Sequence, residues 1–163
     1  MHDGPDCGGS CEPGDRPLAD LRLGPLSEAA LQVMRFCFTT FAQPNSQAWI
    51  GAQEWAVASA GETKGSKLAF RCMRLVQALR MSRRTPFRFS NPTCPQCRAV
   101  VTETERRLML VVGHLQREER SAAYAEAMLL CEGSAAAPLL AAADALGELL
   151  DARAPERIGG HAS

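Results

Sequence analysis

The residues best suited to chemistry in this chain are Cys94 and Cys97, in the stretch Asn91-Pro92-Thr93-Cys94-Pro95-Gln96-Cys97-Arg98. Thiols in a Cys-x-x-Cys spacing can face one metal ion or exchange electrons with each other. Pro95 stiffens the turn between them, and a helix is expected to start there. At a helix N-terminus the first thiol meets unpaired amide N–H groups and the positive end of the dipole, which stabilise a thiolate. A structural zinc takes four ligands at about 2.3 Å from sulfur. Cys7 and Cys11, near the N-terminus, can complete a four-thiolate set with Cys94 and Cys97. His114 and Cys131 are the other candidates, and they can share an ion only if the chain reverses near Ser121.

Cys94-Pro95-Gln96-Cys97 resembles one knuckle of a zinc ribbon, with Arg98 where that knuckle usually carries Gly. The same tetrapeptide resembles the active site of glutaredoxins, which implies Cys94 as nucleophile and Cys97 as resolving thiol. The alternation of strands and helices that family needs is absent here. Cys37 and Cys72 fall on apolar helix faces, where a free cysteine acts as a small hydrophobe.

A second chemical feature is one-signed charge. Between Glu62 and Glu103 there is no acidic residue, while Lys64, Lys67, Arg71, Arg74, Arg80, Arg83, Arg84, Arg88 and Arg98 all occur there. Arginine forks match phosphate oxygens, and a basic face concentrates anions. Lys64, Lys67, Arg71, Arg74, Arg80, Arg83, Arg84 and Arg88 are therefore candidate nucleic-acid contacts, with Phe87 and Phe89 as rings for base stacking. An acidic protein surface is the alternative partner. The plain structural reading is a solvated basic face that also docks on the chain's own acidic parts.

These features need a scaffold. The chain has 163 residues with a net formal charge of zero, 46% apolar and 22% charged residues, but only 6% aromatics. A core built mostly of Leu, Val, Ala and Met favours helix packing, so the expected fold is all-α, a compact bundle of about five helices. Residues 1–16, acidic and Gly/Pro-rich, are expected to form a disordered arm; residues 17–152 a single helical domain; and residues 153–163 a frayed tail. Helices are expected from Ser27 (Leu31, Met34, Phe38 and Phe41 on one face) and from Ser46 to Ala60 (Trp49, Ile50 and Val57). A third should run from Lys67 to Met81 after a polar turn at residues 62–66, with Leu68, Cys72, Leu75, Val76 and Leu79 inward. Gly61 is the expected stop of the second helix, which makes a helix-turn-helix conceivable. A fourth helix should begin near Pro95, with Val101, Leu108, Val111, Val112 and Leu115 inward, and either continue to Cys131 or break near Ser121. A fifth, after Ser134, carries Leu139, Leu140, Ala143, Leu146, Leu149 and Leu150, a face suited to the core or to a homodimer seam.

No P-loop or dinucleotide fingerprint is present, and no membrane span is expected. Without an apolar leader, the seven cysteines point to the reducing cytoplasm and to metal or redox use. The expectation is a small cytoplasmic regulatory protein that binds nucleic acid through residues 64–98, with a structural zinc at the CPxC pair. The alternatives are a thiol-disulfide oxidoreductase using Cys94 and Cys97, and a helical protein–protein adaptor.

Overall fold

The structure, a computed structural model, describes residues 12–151. Cys7 and Cys11, most of the expected arm and the tail beyond Asp151 lie outside the described residues. Six α-helices and one two-residue strand pair are found among them: β1 (Arg16–Pro17), α1 (Pro25–Ala42), α2 (Ala48–Ser82), α3 (Pro95–Arg98), β2 (Val100–Val101), α4 (Glu103–Gln116), α5 (Arg120–Leu130) and α6 (Ala137–Leu150). The all-α expectation holds.

Helix α1 starts two residues before Ser27. Gly24 takes the cap position and Pro25 the first helical one, where its fixed φ suits the helix and its missing N–H costs nothing. Leu31, Met34 and Phe38 are buried as the spacing predicts, but Phe41 at the end of the helix is exposed.

Helix α2 departs from expectation at its middle. The polar turn at residues 62–66 does not exist: Gly61 alone leaves helical conformation, at φ 77° and ψ 172°. That combination is open essentially to glycine only. Residues 56 and 65 of a straight helix would stand about 13.5 Å apart. Here a Cβ on Gly65 would lie 2.6 Å from the Ala56 carbonyl oxygen and 2.7 Å from the Val57 Cα. The chain therefore folds back at Gly61, and the two arms of α2 cross at Gly65. A turn of one non-helical residue is shorter than that of a helix-turn-helix.

The second arm buries Leu68, Cys72, Leu75, Val76 and Leu79 completely. In the first arm the inward residues are Ala52 and Ala56, while Trp49 and Ile50 stay exposed. Small residues win there because α1 approaches closely; a Cβ on Gly51 would already sit 2.6 Å from the Phe36 ring. Helix α1 packs along α2, α6 packs on α2 and α4, and α5 packs on α4. The apolar face of α6 (Leu139, Ala143, Leu146, Leu150) is buried in this core.

The expected fourth helix is three elements. A capping box starts α4 afresh: the Thr102 hydroxyl accepts from the Glu105 N–H (3.1 Å), and the Glu105 carboxylate accepts from the Thr102 N–H (2.9 Å). The break before α5 falls at residues 117–119, where Glu118 adopts φ 61°. Strand β2 precedes Thr102 and pairs antiparallel with β1, Arg16 opposite Val101 and Pro17 opposite Val100. That ladder fixes the end of the N-terminal arm against the segment that follows the CPxC pair. No helix among the described residues is long and apolar enough to cross a membrane.

Candidate functional site: a thiol knuckle on a buried ion pair

The knuckle is built locally by side chains that replace missing backbone partners. Asn91 accepts from the Thr93 N–H (2.9 Å) and hydroxyl (2.8 Å), closing a turn that delivers Cys94 to the start of α3. The Cys94 sulfur then accepts the Cys97 N–H at 3.3 Å, and the Cys94 carbonyl accepts the Arg98 N–H at 3.0 Å. An amide aimed at the first sulfur favours its thiolate or metal-bound form. Cys94 is buried, and Cys97 is half-buried.

The two thiols are not joined to each other. Cys94 is disulfide-bonded, whereas Cys97 is a free thiol, as are Cys37, Cys72 and Cys131. Among the described residues no group of three His, Cys, Asp or Glu side chains stands where it could hold an ion. Cys94 and Cys97 supply two sulfurs of the expected four, and Cys7 and Cys11 lie outside the described residues. His114 is turned to Glu119 (Nδ1 to Oε2, 2.5 Å), while Cys131 is buried at the end of α5. Burial pushes the Cys37 thiol up to about 12 and raises the Cys72 thiol well above its ordinary value, so both behave as core residues.

Beneath the knuckle lies a feature that the sequence reading missed. Arg35 and Glu105 are both completely buried. The guanidinium holds the carboxylate in a fork, Nε to Oε1 at 2.7 Å and Nη2 to Oε2 at 3.0 Å. Its remaining donors reach the carbonyls of Arg98 (3.1 Å) and Val100 (2.7 Å), the two residues that flank the exit from α3. Glu105 also accepts from the Ser90 N–H at 3.0 Å. One buried pair thus holds α1, the connection before the knuckle, the strand after it and the start of α4. A buried charge persists only when paired and fully bonded. The readable trace was Thr102-x-x-Glu105, the capping-box spacing; nothing in the spacing of Arg35 marks it as Glu105's partner.

The basic residues divide into two sets. Arg71 donates to the Ala145 carbonyl of α6 (2.6 Å), and Arg83 to the Leu130 carbonyl (2.7 Å) while facing Glu132. Glu132 also accepts from the Thr85 hydroxyl and the Arg84 N–H, which hold its carboxyl below the usual range. Arg88 grips Asp15 with two bonds (2.5 and 2.7 Å) and pulls the Asp15 carboxyl down. Arg80 lies over the Phe41 ring, 3.8 Å from its centroid. These arginines fasten the bundle. Lys64, Lys67, Arg74 and Arg84 are exposed and make no ion pair among the described residues. Phe87 and Phe89 are half-buried and stacked on Phe38 at centroid distances of 4.3 and 5.3 Å.

Compared with protein-family models, with curated proteins and with solved structures, the chain gives no significant match.

Proposed function

We propose that the protein is a small cytoplasmic regulatory module that contacts nucleic acid through the outer face of α2. The observation that carries this reading is the placement of Lys64, Lys67, Arg71 and Arg74. Steps of three, four and three residues put them on one face of a helix. Lys64, Lys67 and Arg74 on that face are solvent-exposed, and the neighbouring Phe70 and Met81 are exposed by 63% and 77%. A basic ridge beside uncovered apolar side chains suits a phosphate backbone with some base or sugar contact. Arg84 extends the charge beyond the helix end.

Zinc is the cofactor of this proposal. In the reduced protein, with the Cys94 disulfide opened, Cys94 and Cys97 with Cys7 and Cys11 would hold it, and it would act on structure by tying the N-terminal arm to the connection between α2 and α4. The donor set suits zinc, since thiolates are its preferred structural ligands and the Cys97 amide already faces the Cys94 sulfur. Support also comes from the β1–β2 ladder and the Arg88–Asp15 pair, which carry the chain following Cys11 alongside the knuckle region.

Two measurements test the proposal. Binding of a random-sequence DNA duplex should weaken with salt, with a log–log slope of about −3.6 if four cations meet phosphates. Lys64→Glu/Lys67→Glu/Arg74→Glu should abolish it. No binding at about 50 mM salt, or binding unaffected by the triple reversal, overturns the nucleic-acid reading. Metal analysis of the reduced protein should give one zinc per chain, and Cys94→Ser or Cys97→Ser should lower metal content and melting temperature together.

A second reading is favoured by the free Cys97 thiol next to the disulfide-bonded Cys94. In thiol-disulfide exchange the Cys97 thiolate attacks the Cys94 sulfur. The Cys94–Cys97 bond forms, and the former partner leaves as a thiolate with no net change in oxidation state. Reversible formation of that disulfide in the metal-free protein, lost in Cys97→Ser without unfolding, separates it from the zinc reading.

A further inference from the structure

A cleft of about 840 Å³ opens on the other side of the knuckle, between the start of α1, the first arm of α2 and α3. Its walls are largely apolar, with Leu23, Ala29 and the Trp55 ring among them. Three polar side chains line it without an ion-pair or side-chain hydrogen-bond partner among the described residues. Gln32 is 4% exposed, and its buried Oε1 has no hydrogen-bond partner among the described residues. Glu28, one turn earlier on the same helix, is exposed at the cleft and makes no ion pair among the described residues. Arg98 comes from the opposite element, with its guanidinium carbon 5.3 Å from the Trp55 centroid, and it too lacks an ion-pair partner there.

A buried acceptor without a donor is costly and adds nothing to stability. Leucine at position 32 would fill a similar volume without leaving an unpaired acceptor. An unpaired buried acceptor beside an unpaired carboxylate suits a cationic donor that comes from outside. The residue spacing supports the same assignment: positions 28 and 32 are i and i+4, so the two acceptors lie on one side of α1. The unpaired guanidinium across the cleft calls for an anion, and the indole with the leucine and alanine wall calls for an apolar body.

We propose that this cleft binds a small zwitterion of the α-amino-acid class with an apolar side chain. Its ammonium meets Glu28 and the Gln32 amide oxygen, its carboxylate meets Arg98, and its side chain packs on Trp55. Because Pro95, Arg98 and Ala99 of the knuckle form part of the wall, occupancy of the cleft and order at Cys94 and Cys97 are linked through a shared segment.

The test uses the full chain carrying Trp49→Phe, which leaves Trp55 as the one tryptophan of the two. Tryptophan fluorescence is titrated with three probes: L-phenylalanine, L-phenylalaninamide (ammonium without carboxylate, as at a peptide N-terminus) and 3-phenylpropionate (carboxylate without ammonium). L-phenylalanine should saturate below about 5 mM, and each of the other two should bind at least about tenfold more weakly. Gln32→Leu should raise the melting temperature, because it removes the orphaned acceptor, yet weaken L-phenylalanine at least about tenfold. Equal binding of 3-phenylpropionate or of the amide overturns the zwitterion assignment. No saturation by L-phenylalanine, L-leucine or L-tryptophan, or Gln32→Leu binding as well as the parent, overturns the site. Nucleic-acid binding by the α2 ridge is read separately, and its failure leaves this outcome unaffected.

Discussion

Replacing Arg35 by methionine is the sharpest perturbation available. The side chain keeps its length and much of its packing, but four hydrogen bonds disappear. Glu105 is left as a buried carboxylate with only the N–H groups of Ser90 and Thr102 for partners. The Arg98 carbonyl loses the Arg35 donor, whereas the Val100 carbonyl keeps the Ser90 hydroxyl at 2.8 Å. Breaking a buried ion pair from one side costs about 3–5 kcal/mol, because the surviving charge is uncompensated. For a domain of this size each kcal/mol moves the melting temperature by about 2–4 °C, so Arg35→Met should melt about 6–20 °C lower. Arg35→Met/Glu105→Leu should recover most of the loss, since two apolar side chains of similar volume need no partner. Urea denaturation of the parent, both single variants and the double variant gives the coupling energy directly. Hydrogen exchange at Val100 and Val101 should quicken in Arg35→Met before the rest of the bundle opens. A loss below about 1 kcal/mol in Arg35→Met, or a double variant as unstable as the sum of the singles, would refute the claim that the pair holds the knuckle.

Three further outcomes follow from single side chains. Gly61→Ala forces a Cβ into a conformation reserved for glycine and should cost about 1–3 kcal/mol in a chemical melt, with no change in nucleic-acid affinity. Arg88 lowers the Asp15 carboxyl, so that pair contributes fully above the unfolded value near 3.8 and is lost as pH falls through the lower folded value; in Arg88→Leu this acid-side loss should shrink in a pH series of melts, the Glu12 N–H remaining on Asp15. In native alkylation near pH 8, Cys97 should react, whereas Cys37, Cys72 and Cys131 should react only after denaturation.

The core was legible because its signal is periodic. Leu68, Cys72, Leu75, Val76 and Leu79, and likewise Leu108, Val111, Val112 and Leu115, are buried as their spacing demands, whereas Val101 is buried from strand β2 and not from the expected helix. The first arm of α2 was misread because large apolar residues outrank alanine in any pattern, yet close helix approach selected Ala52 and Ala56 and left Trp49 and Ile50 outside. The Gly61 stop was correctly placed, but the length of the turn was not: one residue at a glycine-only φ/ψ does the work expected of six. The basic block was visible as composition, while its division was not, because the partners of Arg71, Arg83 and Arg88 are carbonyls and carboxylates distant in sequence. No local rule reads such partners. The Arg35–Glu105 pair, separated by 70 positions, escaped for the same reason.

The arrangement of these parts limits what the knuckle can be. An active-site dithiol gains from a mobile, exposed first sulfur, because exchange requires in-line approach by a partner's thiol. Here Cys94 is 6% exposed, and the segment leaving the pair is tied down by two charged donors and a strand. Such anchoring suits a site that must hold geometry, as the Cys94 disulfide does here and as the proposed zinc would in the reduced protein. The same anchoring explains why Arg98 projects into the neighbouring cleft: its carbonyl is fixed by Arg35 from behind, and its guanidinium is laid along Trp55 in front. A change at the sulfurs therefore reaches Arg98 through a stiff segment of few residues. The proposed link between metal occupancy at the sulfurs and the cleft passes through this segment: removal of zinc should shift L-phenylalanine affinity, read by Trp55 fluorescence, in the parent and in Lys67→Glu but not in Arg35→Met.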